Sequence, residues 1–264
     1  MSDHNITISG NGPTTLLFAH GYGCDQDMWR WVAPAFADRY RVVTFDHAGC
    51  GRRDLVPYDV GRYTSLDAYA EDMLGLIDRH DLAPVIIVGH SVSAMIAVLA
   101  SLRAPQAVRA LALIGPSPCY CNDGDYRGGF EPADIVGLLD ALDANHQTWA
   151  ASLAPEIMGN AERPELAEEL TASFCRMDPL AARGFAQVTF TADNRTDLPQ
   201  VQVPTLIMQC SDDMIAGEAV GAYVHAAIPG SELVHLKATG HCPNLSAPDE
   251  VTTELARWLE RLDV

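Results

Sequence analysis

Three residues spread along the chain have the types and the order that serine-based hydrolysis needs: Ser91, Asp213 and His241. A serine hydroxyl becomes an effective nucleophile when a histidine removes its proton, and a carboxylate holds that histidine in the required tautomer. Asp212 stands beside Asp213 and competes for the carboxylate role, and the residues alone do not decide between them. The pattern predicts acyl transfer through a covalent serine intermediate.

The segment 84–100 predicts the setting of Ser91. Four β-branched apolar residues indicate a strand buried on both faces, and the apolar run after Ser93 indicates a helix. A serine on such a tight strand-to-helix turn presents its hydroxyl, and the N–H of Val92 points into the same space. Gly89 supplies the small residue that the turn needs, whereas Ser93 stands where the G-x-S-x-G pattern has a second glycine. The alternative is a serine that only caps a helix, which is common.

A glycine-rich loop, HGYG at 20–23, follows the predicted strand 14–19. The glycines on either side of Tyr22 leave its backbone N–H free to point into a cavity. Together with the N–H of Val92, it would form an oxyanion hole, which stabilises the charge that develops during acyl transfer. The alternative is an ordinary glycine turn.

The composition disfavours several other classes of protein. The chain has 264 residues, 48% of them hydrophobic, which suffices for one substantial core and a modest insertion. Its net charge of -18 would repel a phosphate backbone, so we expect no nucleic-acid partner. We also expect no membrane segment, because no apolar run is long enough. Seven scattered cysteines fit a reduced, cytoplasmic protein, and no spacing indicates a metal site or a cofactor.

Strand-like and helix-like segments alternate along most of the chain. We predict strands at 5–9, 14–19, 41–46, 85–88, 108–114, 205–209 and 232–236, and helices at 27–40, 64–82, 94–100, 215–228 and 248–262. This alternation predicts a mostly parallel, doubly wound α/β sheet, in which the carboxyl-terminal strand ends converge. Because Ser91, Asp213 and His241 each follow a predicted strand, this fold would bring them together.

The segment 131–194 interrupts the alternation with four predicted helices. They span 131–145, 146–158, 164–177 and 179–191, after the strand that follows the nucleophile helix. A helical insertion above the carboxyl-terminal edge of a parallel sheet forms a lid over the site. We therefore predict a core of residues 1–130 and 195–264, and a helical cap of residues 131–194 that is not an independent domain.

Over nearly its whole length the chain resembles the α/β-hydrolase superfamily. Within it, the chain is similar to the group that holds the bacterial stress regulator RsbQ and the plant strigolactone and karrikin receptors. The similar segments are HGYGCDQDMW at 20–29, VGHSVSAM at 88–95, GPSPCY at 115–120, GGF at 128–130, FAQVTF at 185–190, QCSDD at 209–213 and GHCPNLSAP at 240–248. The glycine loop at 47–53 also resembles the family, although Arg53 replaces a small residue.

The resemblance implies roles for individual residues. Asp213 rather than Asp212 takes the carboxylate place, Tyr22 and Val92 fall on the oxyanion donors, and the insertion falls on a V-shaped four-helix cap. The residues expected to line the substrate pocket are Tyr22, His90, Phe130, Trp149, Leu153, Phe185 and Phe190. Tyr22 stands where the group often has phenylalanine. Leu153 stands where the plant receptors carry an aromatic residue, so their ligand preference does not transfer directly.

Three functions remain open from the sequence. The first is a serine hydrolase that acts slowly on a small apolar ester, lactone or enol ether, with hydrolysis coupled to stress signalling as the RsbQ resemblance implies. The second is a ligand-binding signalling module in which hydrolysis is incidental. By resemblance its partner would be a PAS-containing phosphatase, or an F-box protein as for the plant receptors. The third is a metabolic carboxylesterase. A haloperoxidase or a haloalkane dehalogenase is disfavoured, and the latter needs a carboxylate where Ser91 stands.

Overall fold

The computed structural model describes residues 4–51 and 58–262, and Arg53 lies outside them. Within these residues a seven-stranded sheet forms the centre, in the spatial order β1-β3-β2-β4-β5-β6-β7. The strands are β1 (Thr7–Ser9), β2 (Thr15–Ala19), β3 (Arg41–Thr44), β4 (Val85–His90), β5 (Val108–Ile114), β6 (Thr205–Ser211) and β7 (Glu232–Thr239). All neighbouring strands run parallel except the edge pair of β1 and β3. The predicted mostly parallel, doubly wound sheet is confirmed.

Helices cover both faces of the sheet and insert a cap. They are α1 (Leu66–Arg79), α2 (Val92–Arg103), α3 (Pro132–Ala144), α4 (His146–Met158), α5 (Pro164–Arg176), α6 (Pro179–Phe190), α7 (Glu218–Ala227), α8 (Pro243–Ser246) and α9 (Pro248–Arg261). Successive strand residues point to opposite faces, so Leu16 and Phe18 join one apolar cluster and Leu17 joins the other. Both faces of β2 are therefore buried, as its continuous apolar sequence predicts.

The helix predicted for 27–40 is wrong. The chain there forms two short 3₁₀ helices, Gln26–Trp29 and Ala33–Phe36. Trp29, Val32 and Phe36 are buried at a spacing that imitates one amphipathic helix. Pro34 lacks the N–H that a continuous α-helix would need at that point, and its ring would clash with the preceding turn.

The four helices α3–α6, called the cap below, lie near the predicted bounds. Helix α4 is capped by the Asn145 side chain, which accepts the Thr148 N–H, and Asp178 caps α6 in the same way. Pro164 and Pro179 each occupy the first turn of a helix, where the missing N–H costs nothing. None of the helices described for this chain is long and apolar enough to cross a membrane.

Candidate active site

Ser91 occupies the sharp turn between β4 and α2. Its backbone adopts φ +58° and ψ −123°, a strained conformation for a residue with a side chain. The turn is held because the Ser91 N–H donates to the Ile114 carbonyl of β5 at 2.8 Å. A Cβ atom at Gly89 would lie 2.5 Å from the Ser93 carbonyl oxygen, so the crossing of strand and helix requires glycine there. This local geometry presents the Ser91 hydroxyl at the carboxyl-terminal edge of the sheet.

His241 and Asp213 complete a continuous line of hydrogen bonds with Ser91. The His241 Nε2 atom lies 2.7 Å from Ser91 Oγ, and its Nδ1 atom lies 2.7 Å from Asp213 Oδ2. The other oxygen of Asp213 accepts the N–H groups of Ile215 at 2.9 Å and Ala216 at 3.0 Å. All three side chains of this line are buried. A serine, an imidazole and an oriented carboxylate in this order can carry out nucleophilic acyl transfer.

In the structure, Asp213 forms a hydrogen bond with His241, whereas Asp212 lies outside the Ser91–His241–Asp213 line. Asp212 adopts a positive φ of 55°, and it borders a cavity on the outer surface. Burial alone would raise the pKa of the Asp213 carboxyl, but His241 and the two backbone N–H groups stabilise its charged form and hold the pKa below its usual value. Asp213 is therefore the ionised carboxylate that faces the imidazole.

His90 supports the backbone of His241 from the core side. Its Nε2 atom lies 2.7 Å from the His241 carbonyl, and it must donate because a carbonyl only accepts. Burial and, to a smaller extent, the neighbouring His241 lower the pKa of His90 to about 3, so the ring is neutral at physiological pH. Its buried Nδ1 has no partner in the described chain, and it lies against Gly21, where a Cβ would come within 2.6 Å. His90 thus holds the backbone of His241 in place as well as bordering the pocket.

The backbone N–H groups of Tyr22 and Val92 are the donors predicted for the oxyanion role. Val92 is the first residue of α2, so its N–H has no carbonyl four residues earlier in the helix to bond. In the described part of the chain, no protein acceptor takes the Tyr22 or the Val92 N–H. The Tyr22 hydroxyl donates to the Ala182 carbonyl of α6 at 2.9 Å, which ties this loop to the cap.

A buried polar network under the oxyanion loop was missed by the sequence reasoning. The Ser93 hydroxyl donates to the His20 carbonyl, so His47 Nε2, 2.7 Å from Ser93 Oγ, must donate to that hydroxyl. His20 Nε2 in turn accepts the His47 N–H at 3.0 Å. The replacement of the second glycine of G-x-S-x-G by Ser93 was the signal that could have revealed it. The network joins the loops after β2 and β3 to helix α2.

The cavity beside Ser91 is small and mostly apolar. Its volume is about 30 Å³, which is room for one or two water molecules. Its walls consist of Tyr22, Cys24, His90, Ser91, Tyr120, Ile157, Leu170, Phe174, Thr189, Phe190, Ile215, His241 and Cys242. A cavity of about 950 Å³ between α4 and α5 is much larger, but no residue of the Ser91–His241–Asp213 line borders it. The chemistry therefore belongs to the small cavity.

Of the residues predicted to line the pocket, Tyr22, His90 and Phe190 do so, whereas Phe130, Trp149, Leu153 and Phe185 lie outside its walls. Phe185 is fully buried and stacks on Tyr69, with ring centroids 4.2 Å apart. Trp149 packs behind Phe174 and, with Leu153, lines an outer groove of about 450 Å³. Phe130 packs, half-buried, against one of the core clusters. Sequence reasoning identified aromatic residues of the cap region but not the direction in which each ring points.

Tyr120 is a wall residue that the sequence reasoning did not single out. It is buried in the same cavity wall as Ser91, and burial raises the pKa of its phenol to about 12. The sequence contained a signal for this position. Tyr120 ends the segment GPSPCY, which follows β5, and β5 lies beside β4, the strand that leads to Ser91. A neutral phenol beside the nucleophile can donate a hydrogen bond to a bound ligand.

The fold and the site define a class of protein. Residues 16–254 match the model of the alpha/beta hydrolase family, and the chain belongs to that family. Curated relatives include karrikin insensitive 2 receptor CA from Petunia hybrida, 37% identical over 97% of this chain and 95% of the relative. Strigolactone esterase D14 from Arabidopsis thaliana is 37% identical over 99% of this chain and 100% of the relative. The resemblance to the strigolactone and karrikin receptors is confirmed.

Solved structures agree with this assignment. A hydrolase from Oleispira antarctica superposes with a TM-score of 0.94 at 40% identity, covering 98% of this chain and 95% of that one. The enol-lactonase from Burkholderia xenovorans has a TM-score of 0.86 at 20% identity, covering 97% of this chain and 96% of that one, and this likeness concerns the fold alone.

Proposed function

We propose that the protein is a serine hydrolase that cleaves a small, uncharged ester, lactone or enol ether. Ser91 is the nucleophile, His241 is the general base and acid, and Asp213 orients the imidazole and stabilises its positive charge. The N–H groups of Tyr22 and Val92 bind the oxyanion. The observation that carries the proposal is the unbroken hydrogen-bond line from Ser91 Oγ to Asp213 at the floor of an apolar cavity. The curated relatives named as an esterase and as receptors support it.

The proposed reaction has two halves. In the first, Ser91 Oγ attacks the carbonyl carbon while His241 Nε2 takes its proton, and the imidazolium then gives that proton to the departing alkoxide or enolate oxygen. The product of this half is an acyl group on Ser91. In the second half, His241 takes a proton from water, the hydroxide attacks the acyl carbon, and the proton returns to Ser91. No other co-reactant is needed.

The walls of the cavity favour a neutral, compact substrate. No lysine or arginine is among the described residues that line it, so an ionised substrate would lose its hydration without a compensating charge. A cavity of about 30 Å³ is too small for an ester, so we expect its apolar walls to move apart before the substrate binds. We therefore expect turnover at or below the slow end, about one per second, of the usual enzymatic range.

The proposal is tested with a fluorophosphonate probe and a panel of neutral and carboxylate-bearing esters and lactones. Wild-type protein should react with one equivalent of probe and hydrolyse the neutral members of the panel preferentially. Ser91→Ala should lose labelling, and its turnover should fall by roughly a million-fold. Ser101→Ala is the matched control, since Ser101 is a buried serine of α2 that bonds only the Val98 carbonyl in the described structure. Equal labelling of the wild type and Ser91→Ala would refute the proposal.

We propose as the second candidate a signalling module in which the ligand changes the cap. The receptor names of the relatives favour it, and so does a catalytic cavity that must rearrange to admit a ligand. A cytoplasmic location, the RsbQ-like stress role and a PAS-containing phosphatase as partner belong to this candidate. Ligand should then change hydrogen exchange in the cap more than in β2, β4 and β5. Fast ester turnover with unchanged exchange in the cap would leave a metabolic carboxylesterase.

A further inference from the structure

The loop that carries His241 is attached to the cap at three points. This segment, residues 239–246 and called the histidine loop below, begins with the last residue of β7 and ends with α8. The His241 N–H donates to the Ile157 carbonyl of α4 at 2.8 Å. The Asn160 side-chain amide donates to the Thr239 carbonyl at 3.1 Å, and Arg163 Nη1 donates to the Ser246 carbonyl at 2.8 Å. Both ends of the loop are therefore bonded to the segment between α4 and α5, and His241 is bonded to α4 itself.

The backbones of the cap and of the histidine loop approach each other unusually closely here. A Cβ atom at Gly240 would lie 2.0 Å from the Met158 carbonyl oxygen, so no other residue fits without a shift of one backbone. Gly159 faces Gly240 from the cap side. Gly159 and Asn160 both adopt positive φ angles, of 59° and 55°, and this turns the chain out of α4 and against the loop.

Asn160 and Arg163 form one connected unit. Asn160 also donates to the Met158 carbonyl at 2.9 Å, and its side-chain oxygen accepts from Arg163 Nη2 at 2.7 Å. The amide thus joins the end of α4, the first residue of the loop and the arginine. The guanidinium carries the connection to Ser246 at the other end of the loop. Neither side chain lines the cavity that holds Ser91.

We propose that Asn160 and Arg163 are positioning residues for His241, so that closure of the cap and assembly of the Ser91–His241 contact are one event. The inference rests on the proposed function. It assigns part of the catalytic geometry to side chains of residues 159–163, the segment between α4 and α5, called the cap hinge below. The cavity is too small for an ester, and the cap supplies Ile157, Phe174 and Phe190 to its walls, so in this proposal the cap moves when a substrate enters. Movement of the α4 end pulls on the loop through these side chains, and closure returns His241 Nε2 to Ser91 Oγ.

The test compares substitutions that tolerate a positive φ with a matched control. Asn160→Asp keeps the shape and the contact with Arg163 but cannot donate to Thr239, and Asn160→Gly removes the side chain without backbone strain. Arg163→Gln shortens the side chain that donates to the Ser246 carbonyl. Arg183→Ala is the control, because Arg183 joins α6 to Asp143 of the cap at 2.8 Å and has no described contact with the histidine loop. Each variant is assayed for kcat, KM and the rate of phosphonate labelling.

The three hinge variants should lose kcat by roughly tenfold to a hundredfold, because a displacement of the base of about 1 Å is enough for that. Their KM, by contrast, should change by less than about threefold, because neither side chain lines the cavity in which the substrate binds. Labelling should slow in parallel with kcat, and Arg183→Ala should match the wild type in all three measurements. Hinge variants that keep wild-type kcat and labelling rate, or that change only KM, would overturn the proposal.

Hydrogen exchange separates this inference from the proposed function. The amides of Gly240 and His241 should exchange faster in Asn160→Asp than in the wild type, whether or not an ester is hydrolysed, because the loop has lost one of its three attachments to the cap. Unchanged exchange at these amides would overturn the positioning role even in an active enzyme. Absence of phosphonate labelling in the wild type would instead refute the hydrolase function and leave the exchange result standing.

Discussion

At the scale of single residues, the carboxylate is the part of the site that residue types and spacing left open and that only the family resemblance assigned to Asp213. Asp212 and Asp213 are neighbours of the same type, and only the direction of the side chains separates them. The structure aims Asp213 at His241 Nδ1 and fixes it with the Ile215 and Ala216 N–H groups. The spacing of residues along a chain cannot specify such a direction. The direction of a side chain in a turn depends on the backbone angles of each residue, and these angles are not evident from the sequence.

Substitution of the two aspartates should therefore have opposite consequences. Asp213→Asn should lower turnover by roughly ten-thousandfold, because the amide can donate to Nδ1 and thereby place the proton on the Nε2 atom that must accept from Ser91. Asp212→Asn should leave turnover within about threefold, as expected of a surface substitution away from the reacting atoms. Steady-state kinetics on one neutral ester compares the two. The reverse ranking would show that Asp212, and not Asp213, orients the His241 imidazole.

At the scale of elements, the elbow, the strand ends and the cap helices could be predicted, whereas two other features could not. Ser91 and His241 follow strands of a parallel sheet, so the topology brings them together. Pro34 breaks a segment whose apolar spacing imitates a single helix. Phe185 and Trp149 lie at the predicted places in the cap, but their rings pack on Tyr69 and Phe174. Packing of three or more elements decides ring direction, and a single sequence does not contain that information.

Ser93 connects three of these elements, and its loss should loosen the oxyanion loop. Ser93→Ala would leave the buried His47 Nε2–H and the His20 carbonyl without their partner, at a cost of about 1–3 kcal/mol in the free energy of unfolding. The effect should be read from urea denaturation, together with a fall in kcat. Ser101→Ala is again the comparison, since the helix itself already satisfies the Val98 carbonyl. Equal stability of the two variants would contradict a structural role for the Ser93 hydroxyl.

At the scale of the whole molecule, buried histidines link stability to pH. Burial lowers the pKa of His20 and His90 below the ordinary value of 6.5, in the case of His90 to about 3, and lowers that of His47 well below it. The unfolded chain therefore binds protons below pH 6.5 that the folded chain does not. By linkage, the folded state loses stability as pH falls from about 6.5 towards the lowered values.

The expected loss is large enough to measure. Each such histidine destabilises the folded state by up to about 1.4 kcal/mol for every pH unit below its unfolded pKa. Tm measured at pH 7.5, 6.5, 5.5 and 4.5 should be nearly constant over the first step and then fall with increasing slope. His47→Gln should reduce that slope, whereas His235→Gln, at an exposed position of β7, should not. A Tm that is independent of pH down to 4.5 would exclude this linkage.

The contact between Gly240 and the end of α4 has a consequence for how such a protein diversifies. The atoms that touch there belong to backbone, whereas the rings that border the cavity are side chains of other positions. Replacement of Phe174, Phe190 or Leu170 by other apolar residues would reshape the chamber without altering the attachment of the histidine loop. Ligand preference is therefore free to drift over evolutionary time while the catalytic machinery is inherited unchanged.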